Sequence, residues 1–305
     1  MKRSIDRLRV LLIWPGGTLG ALSNFGVPQL LSLASAIRAR CDVELSIADL
    51  DCERALGPLD LSRLCQGHDL IGISCYSSFD YLKVMALAAR IRELSPRAIL
   101  VTGGYHPSAC PDDFTQPGSP FDYVAVGDGE APLARLIEQL SRGRRPLNRI
   151  LPSEPVPSPS ELLPYDFELL ARYLPIARRV ATQAEIYLSR GCPYDCSFCM
   201  ERAKRETSWR AVSPEEAIDT LHQLDRFLDL QGWTLFIADA LFGMKRAWRR
   251  EFLEALARKP LRALRVWLLI RVDLIEREDL ELMSRAHVSP GFGLESGDPN
   301  QLKRI

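Results

Sequence analysis

The sequence has no excess of charge and no long apolar run. Its 39 acidic and 39 basic side chains balance, so no overall field favours nucleic acid or an anionic membrane. The apolar run after the basic N-terminus covers only residues 10–14, which is too short for a signal peptide. No run approaches the roughly 18 apolar residues of a membrane span. We therefore expect a cytoplasmic protein that has neither nucleic acid nor a membrane as a partner.

Two common nucleotide-binding motifs are also missing. The glycine-rich segment 15–20 lacks the Gly-Lys-Ser/Thr ending of a P-loop. No Gly-x-Gly-x-x-Gly motif follows the first predicted strand. The sequence therefore does not favour an ATPase or a nicotinamide-dependent dehydrogenase.

The eight cysteines do not form an obvious disulfide framework. In the cytoplasm, a tightly spaced group of cysteines indicates metal or redox chemistry instead. Five are scattered and are interpreted as small buried hydrophobes, namely Cys41, Cys52, Cys65, Cys75 and Cys110. The other three lie within eight residues of one another.

The pattern of residues 1–141 predicts a doubly wound parallel sheet of the Rossmann or flavodoxin type. Short runs that are apolar on both faces alternate with helix-period segments, as expected of strands covered by helices. The predicted strands are 10–14, 43–48, 70–75, 99–102 and 123–126. In such a sheet, ligands bind at the carboxyl ends of the strands.

A proline-rich segment, 142–184, is predicted to link this domain to a second one. From residue 185, strands alternate with helices again and give four βα units, the pattern of a partial TIM-type barrel. We expect strands at 186–189, 234–238, 265–270 and 291–295, and helices at 213–229, 246–258 and 276–286. Because the chain stops ten residues after the fourth strand, the barrel is expected to be truncated.

The three clustered thiols, Cys192, Cys196 and Cys199, are the main chemical signal. On one loop after a strand they can converge on a soft metal centre, either zinc or an iron–sulfur cluster. A structural zinc site normally uses four protein ligands, and the nearest later candidate, His222, has no suitably spaced second partner. Three ligands fit better with a 4Fe-4S cluster whose fourth iron stays open, and a zinc site is the alternative.

The CxxxCxxC spacing, with Phe198 before the last cysteine, resembles the radical S-adenosylmethionine (SAM) superfamily. The resemblance covers 185–305 and includes the segments 236–240, 271–273 and 293–297. It implies that SAM binds the open iron. One electron from the cluster then cleaves SAM to methionine and a 5'-deoxyadenosyl radical, which abstracts hydrogen from a substrate.

The same resemblance implies roles for individual residues near SAM. Phe198 would lie near the adenine and Asp239 near the amino group, whereas Arg271 and Glu295, with the adjacent Ser296, would lie by the carboxylate or ribose. Each residue also has a structural interpretation: a core aromatic for Phe198, a helix cap for Asp239 and a surface ion-pair partner for Arg271.

Hydroxyls and glycines follow three predicted strands of the first domain. Glycine lets the backbone approach a bulky ligand, and hydroxyls and amides can bind a nucleotide-like tail. These residues are Ser74, Ser77, Gly103, Gly104, His106, Gly127, Gly129 and Glu130. Alternatively, the glycines form only tight turns.

Together these loops resemble the cobalamin-binding domain that precedes the radical SAM core in one enzyme class, over about 1–141. The DxHxxG motif is absent, and His68, His106, His222 and His287 have other neighbours. This absence suggests cobalt without a histidine ligand from the protein.

The combined resemblance implies a cobalamin-dependent radical SAM enzyme that methylates an unactivated centre of a small-molecule substrate. An electron donor such as flavodoxin or ferredoxin would be its partner. Three alternatives stay open: radical ring formation or oxidation of the tetrapyrrole type, a truncated non-catalytic cobalamin or iron–sulfur sensor, and a zinc-stabilised scaffold.

Overall fold

The first half of the chain forms a six-stranded parallel sheet in a computed structural model that describes residues 7–17, 23–153, 165–204 and 208–304. Its strands are β1 (Leu8–Trp14), β3 (Val43–Asp49), β4 (Leu70–Ser74), β5 (Ile99–Gly103), β6 (Tyr123–Ala125) and β7 (Ile150–Leu151). They lie side by side in the order β3-β1-β4-β5-β6-β7. The five strands predicted from the sequence are all present.

Helices cover both faces of this sheet, which confirms the doubly wound α/β prediction. They are α1 (Pro28–Arg40), α2 (Leu50–Leu56), α3 (Leu61–Cys65), α4 (Tyr81–Leu94), α5 (Tyr105–Ala109) and α6 (Glu130–Ser141). Val10 and Leu12 of β1 pack with α1 and α6 in one core cluster. Leu11 and Ile13 point to the other face and pack with α4 in a second cluster, as the two-residue period of a strand requires.

The second half forms a five-stranded parallel sheet that includes a strand from the N-terminal half. Its strands are β2 (Ser23–Phe25), β8 (Ala181–Ile186), β11 (Thr234–Ile237), β12 (Arg265–Leu269) and β13 (Val288–Gly291), in the order β13-β12-β11-β8-β2. The connecting helices are α9 (Pro214–Leu228), α10 (Arg246–Arg258) and α11 (Arg277–Arg285). Ser213 and Glu216 form a capping box at the start of α9, which places this helix where its sequence pattern predicts.

Shorter elements complete the fold. They are α7 (Ala177–Val180), α8 (Glu201–Lys204), α12 (Pro299–Leu302), the antiparallel pair β9 (Ser189–Arg190) and β10 (Arg210–Ala211), and 3-10 helices at Ser78–Asp80, Pro111–Phe114, Phe167–Ile176 and Val272–Leu274. Within the described ranges, no helix has both the length and the apolar character needed to cross a lipid bilayer.

Two predicted strands are misplaced along the chain. The strand before the cysteine loop covers 181–186 rather than 186–189, because Gln183 and Glu185 alternate with core residues and weaken the apolar signal. The last strand covers 288–291 rather than 291–295. It is an edge strand that tolerates Pro290, and the chain turns beyond it, where Glu295 has a positive φ of 54°.

The proline-rich segment is more ordered than the sequence indicates. Residues 150–151 pair with β6, and the 3-10 helix Phe167–Ile176 buries Phe167, Leu170 and Tyr173. The short strand at 150–151 contradicts the expectation that the prolines between 142 and 164 break any regular element, because Leu151 is buried in the core. The 3-10 helix lies beyond that stretch. The prolines from 155 to 164 lie outside the described residues.

Candidate functional site

A cavity of about 160 Å³ opens where the carboxyl ends of the two sheets face each other. The first sheet lines it with strand-end residues that the sequence predicted, namely Ser74, Gly103, Gly104, Gly127, Gly129 and Glu130. The second lines it with residues around the cysteine loop and the end of β11, including Ser189, Arg190, Gly191, Glu201 and Asp239. Residues predicted to serve two different cofactors thus meet at one cavity.

The glycine loop after β5 follows a path that only glycine allows. Gly104 has a φ of +124°, and a Cβ there would lie 2.3 Å from the carbonyl oxygen of Cys75. Gly127, after β6, also has a positive φ of 75°. These glycines keep the cavity wall free of side chains, which a bulky ligand at the strand ends requires.

A buried ion pair joins the two halves across the cavity. The Arg190 guanidinium, directly before Gly191, donates to Glu130 at 3.2 Å and to Ser32. The Ser32 hydroxyl also donates to Glu130 at 3.0 Å. Burial alone would lower the pKa of Arg190, but the Glu130 carboxylate raises it above its usual value. The start of the cysteine loop is therefore held against the first domain.

Asp239 anchors the strand end that leads into the cysteine loop. Its Oδ1 accepts hydrogen bonds from the backbone N–H groups of Leu188 at 2.8 Å and Ser189 at 3.0 Å, and its Oδ2 accepts from the Ser189 hydroxyl at 2.6 Å. Burial raises its pKa to about 6, against the opposing effect of these donors. Asp239 is thus a buried carboxylate at the cavity wall, suited to a cationic ligand group.

Two further contacts connect the halves. Arg210 of β10 pairs with the buried Asp128 at 2.9 Å, and the Tyr105 hydroxyl donates to Glu201, two residues after the last cysteine. The sequence alone does not indicate a role for these residues or for Arg190. Their partners lie 60 or more residues away along the chain, so no local pattern signals the contact.

The three cysteines are half-buried on the loop after β9, next to the cavity. Burial raises the pKa of the Cys192 thiol, and Cys199, Glu201 and Cys196 raise it further. The three sulfurs, all on described residues, are not all within 4.8 Å of one another. Thiolates on one zinc ion, each about 2.3 Å from the metal, would lie within about 4 Å of one another. In a 4Fe-4S cluster each thiolate would bind a different iron.

The remaining SAM residues that the sequence predicted lie outside the cavity wall. The Arg271 guanidinium lies 3.9 Å from the centre of the Tyr194 ring in the cysteine loop and pairs with Asp273 at 2.8 Å. Phe198 is 55% exposed. Glu295 is exposed, and Ser296 accepts from the Asp298 N–H at 3.0 Å.

Two predicted cobalamin residues also point elsewhere. His106 Nε2 lies 2.9 Å from Asp113, and its ring stacks on Tyr81. The Ser77 hydroxyl donates to Asp80 at 3.0 Å. Neither residue lines the cavity, so their cofactor roles stay predictions.

Comparisons with known proteins match two parts of the chain to two different families. Residues 26–137 match the B12 binding domain family, and residues 186–305 match the radical SAM superfamily. The chain therefore contains a B12-binding domain followed by a radical SAM domain.

Particular relatives are methylases. The hopanoid C-3 methylase of Methylococcus capsulatus is 30% identical over 76% of this chain and 47% of its own length. The cobalamin-dependent radical SAM methyltransferase TokK of Streptomyces tokunonensis is 29% identical over 58% of this chain and 28% of its own. The chain spans half or less of the length of these relatives.

A solved structure shares the fold over nearly the whole chain. The radical SAM methyltransferase TsrM from Kitasatospora setae, with cobalamin and a [4Fe-4S] cluster bound, has a TM-score of 0.76 at 19% identity, covering 97% of this chain and 60% of that one.

Proposed function

We propose that this chain is the cofactor-binding part of a cobalamin-dependent radical SAM methyltransferase. The observation that carries the proposal is the single cavity between the three-cysteine loop and the glycine-lined strand ends of the B12-binding domain. When bound, the cluster would supply an electron to cleave SAM, and cobalamin would carry a methyl group. A cytoplasmic location would keep the thiols reduced, and flavodoxin or ferredoxin would serve as the electron donor.

The residues of the chain would hold these groups and exclude water. Cys192, Cys196 and Cys199 would bind three irons. Asp239 would accept a hydrogen bond from the SAM amino group while still holding the backbone before the loop. Arg271 would stabilise the loop through Tyr194. The placement of each side chain described above supports these proposed roles.

On the other side of the cavity, the glycine loops would receive cobalamin. Gly103, Gly104 and Gly127 leave space for a bulky ring, and Ser74 offers a hydroxyl at the end of β4. No histidine is among the residues that line the cavity in the described part of the chain, which suits cobalt without a protein ligand below it. Glu130, paired with Arg190, would fix the distance between the two cofactors.

The test is anaerobic purification and cluster reconstitution, followed by assay of iron, sulfide and cobalamin. Mass spectrometry then measures 5'-deoxyadenosine and S-adenosylhomocysteine formed from SAM. Cys196→Ala should lose SAM cleavage, whereas Cys110→Ser, which changes an exposed cysteine outside the loop, should retain it. Zinc in place of iron and sulfide, or equal SAM cleavage by Cys196→Ala, would contradict the proposal.

Ring formation is the second candidate function. The anaerobic magnesium-protoporphyrin IX monomethyl ester cyclase of Synechocystis is 28% identical over 73% of this chain and 47% of its own length. Release of 5'-deoxyadenosine without S-adenosylhomocysteine would favour this candidate over methyl transfer.

A further inference from the structure

A line of hydrogen bonds crosses the second sheet and ends on one carboxylate. The Trp267 indole N–H donates to Gln183 at 2.9 Å, the Gln183 amide donates to Asn24 at 2.6 Å, and the Asn24 amide donates to Glu185 Oε2 at 2.8 Å. Each side chain thereby orients the next. The other oxygen of Glu185, Oε1, accepts no hydrogen bond from the described residues.

This carboxylate lies on the face of the sheet opposite the main core. Ile186, next to Glu185 in β8, is buried in that core, so Glu185 and Gln183 point to the other face. The same face carries Phe236 and Trp267, whose rings stack at 3.9 Å between centroids and 10° between planes. A flat aromatic surface therefore lies beside the Glu185 carboxylate, which the hydrogen bonds through Gln183 and Asn24 hold in position.

Glu185 is also next to the cofactor cavity. Tyr76 and Tyr187 both line the cavity. Burial raises the pKa of each tyrosine, and the negative charge of Glu185 raises it further. Burial raises the pKa of Glu185 itself, against the opposing Asn24 hydrogen bond. A cation at Oε1 would relieve the cost of holding this charge in a half-buried place.

We propose that Glu185 anchors a substrate subsite for a small molecule that carries a cationic amine next to a flat apolar group. The amine would donate to Oε1, and the apolar group would lie against Phe236 and Trp267. Asn24, which reaches this sheet from the N-terminal half, is a positioning residue. The inference rests on the proposed function, because it places the substrate beside the cofactors. An anionic ligand would be repelled.

The test uses two matched probes, phenethylamine and 3-phenylpropionate, titrated by calorimetry into the reconstituted chain. We expect the amine to bind at millimolar concentration and the acid not to bind. Glu185→Gln should weaken amine binding by about tenfold or more, because a charge-assisted hydrogen bond is lost. Glu185→Asp, which keeps the charge, should retain part of the affinity. Glu254→Gln, which removes a carboxylate from the exposed side of α10, should bind as the wild type does.

Equal binding of amine and acid, no amine binding, or unchanged amine binding by Glu185→Gln would overturn the proposal. Iron content and urea unfolding, measured on the same sample, show whether each variant is folded. If Glu185→Gln does not fold, amine binding by Glu185→Asp is compared with that of the wild type instead. SAM cleavage by the wild type is measured separately. If the wild type does not cleave SAM, the proposed enzymatic function is contradicted. If it cleaves SAM but does not bind the amine, only the proposed subsite is contradicted.

Discussion

Two substitutions of Asp239 distinguish the contribution of its hydrogen bonds to stability from the contribution of its charge. Asp239→Ala leaves the buried N–H groups of Leu188 and Ser189 without an acceptor, at about 1–3 kcal/mol each. We therefore expect the free energy of unfolding to fall by about 2–6 kcal/mol. The strand end before the cysteine loop would also lose its anchor. Urea unfolding followed by circular dichroism measures the first effect, and iron content after reconstitution measures the second.

Asp239→Asn should behave differently, because the amide oxygen can still accept from both N–H groups. The folded pKa of about 6 lies above the unfolded value of about 3.9. The wild-type carboxyl therefore favours folding most at low pH, and that contribution is lost as pH rises through 6. The stability of the Asp239→Asn variant relative to wild type should rise between pH 4 and pH 7 by about 2 kcal/mol.

Two outcomes would refute this reasoning. The first is an Asn variant as destabilised as the Ala variant at pH 7. The second is a difference between Asn and wild type that does not change with pH. The first would mean that Asp239 is not the acceptor for the two N–H groups, and the second would mean that its carboxylate is not buried as a charge.

Two further substitutions test a buried ion pair and a glycine at the cavity wall. Arg249→Leu removes one of two arginine partners of Asp279, from a fully buried ion pair of 2.8 Å, while Arg250 stays 3.0 Å from the carboxylate. The loss should be up to about 3 kcal/mol in urea unfolding, and a loss below about 1 kcal/mol would contradict the pair. Gly104→Ala places a Cβ 2.3 Å from the Cys75 carbonyl oxygen and should reduce cobalamin retained after gel filtration. Gly118→Ala, also at positive φ but with no atom within 4 Å of the added Cβ, should retain it, and equal retention by both variants would place cobalamin elsewhere.

Local patterns were sufficient to predict most of the fold. The strands of the first sheet are apolar on both faces, so each gives a short, continuous signal. The α9 helix carries its own start signal in Ser213, Pro214 and Glu216. The strands β8 and β13 were misplaced because one presents polar residues on its non-core face and the other is an edge strand.

Long-range pairing explains what the sequence did not reveal. The three residues of β2 carry no strand signal of their own, and they pair with β8 more than 150 residues later. Arg190, Arg210 and Glu185 likewise form their hydrogen bonds and ion pairs with residues in the other half of the chain, so their roles cannot be seen in the local sequence. The cysteine spacing, by contrast, is a local pattern, and it predicts the chemical centre directly.

The position of β2 has a consequence for dissecting the protein. Because this short N-terminal strand covers one edge of β8, a polypeptide beginning at residue 165 would present β8 with unpaired backbone groups along that side. Exposed strand edges recruit other chains. The isolated C-terminal half should therefore self-associate, and adding back a peptide that contains residues 23–27 should suppress that association.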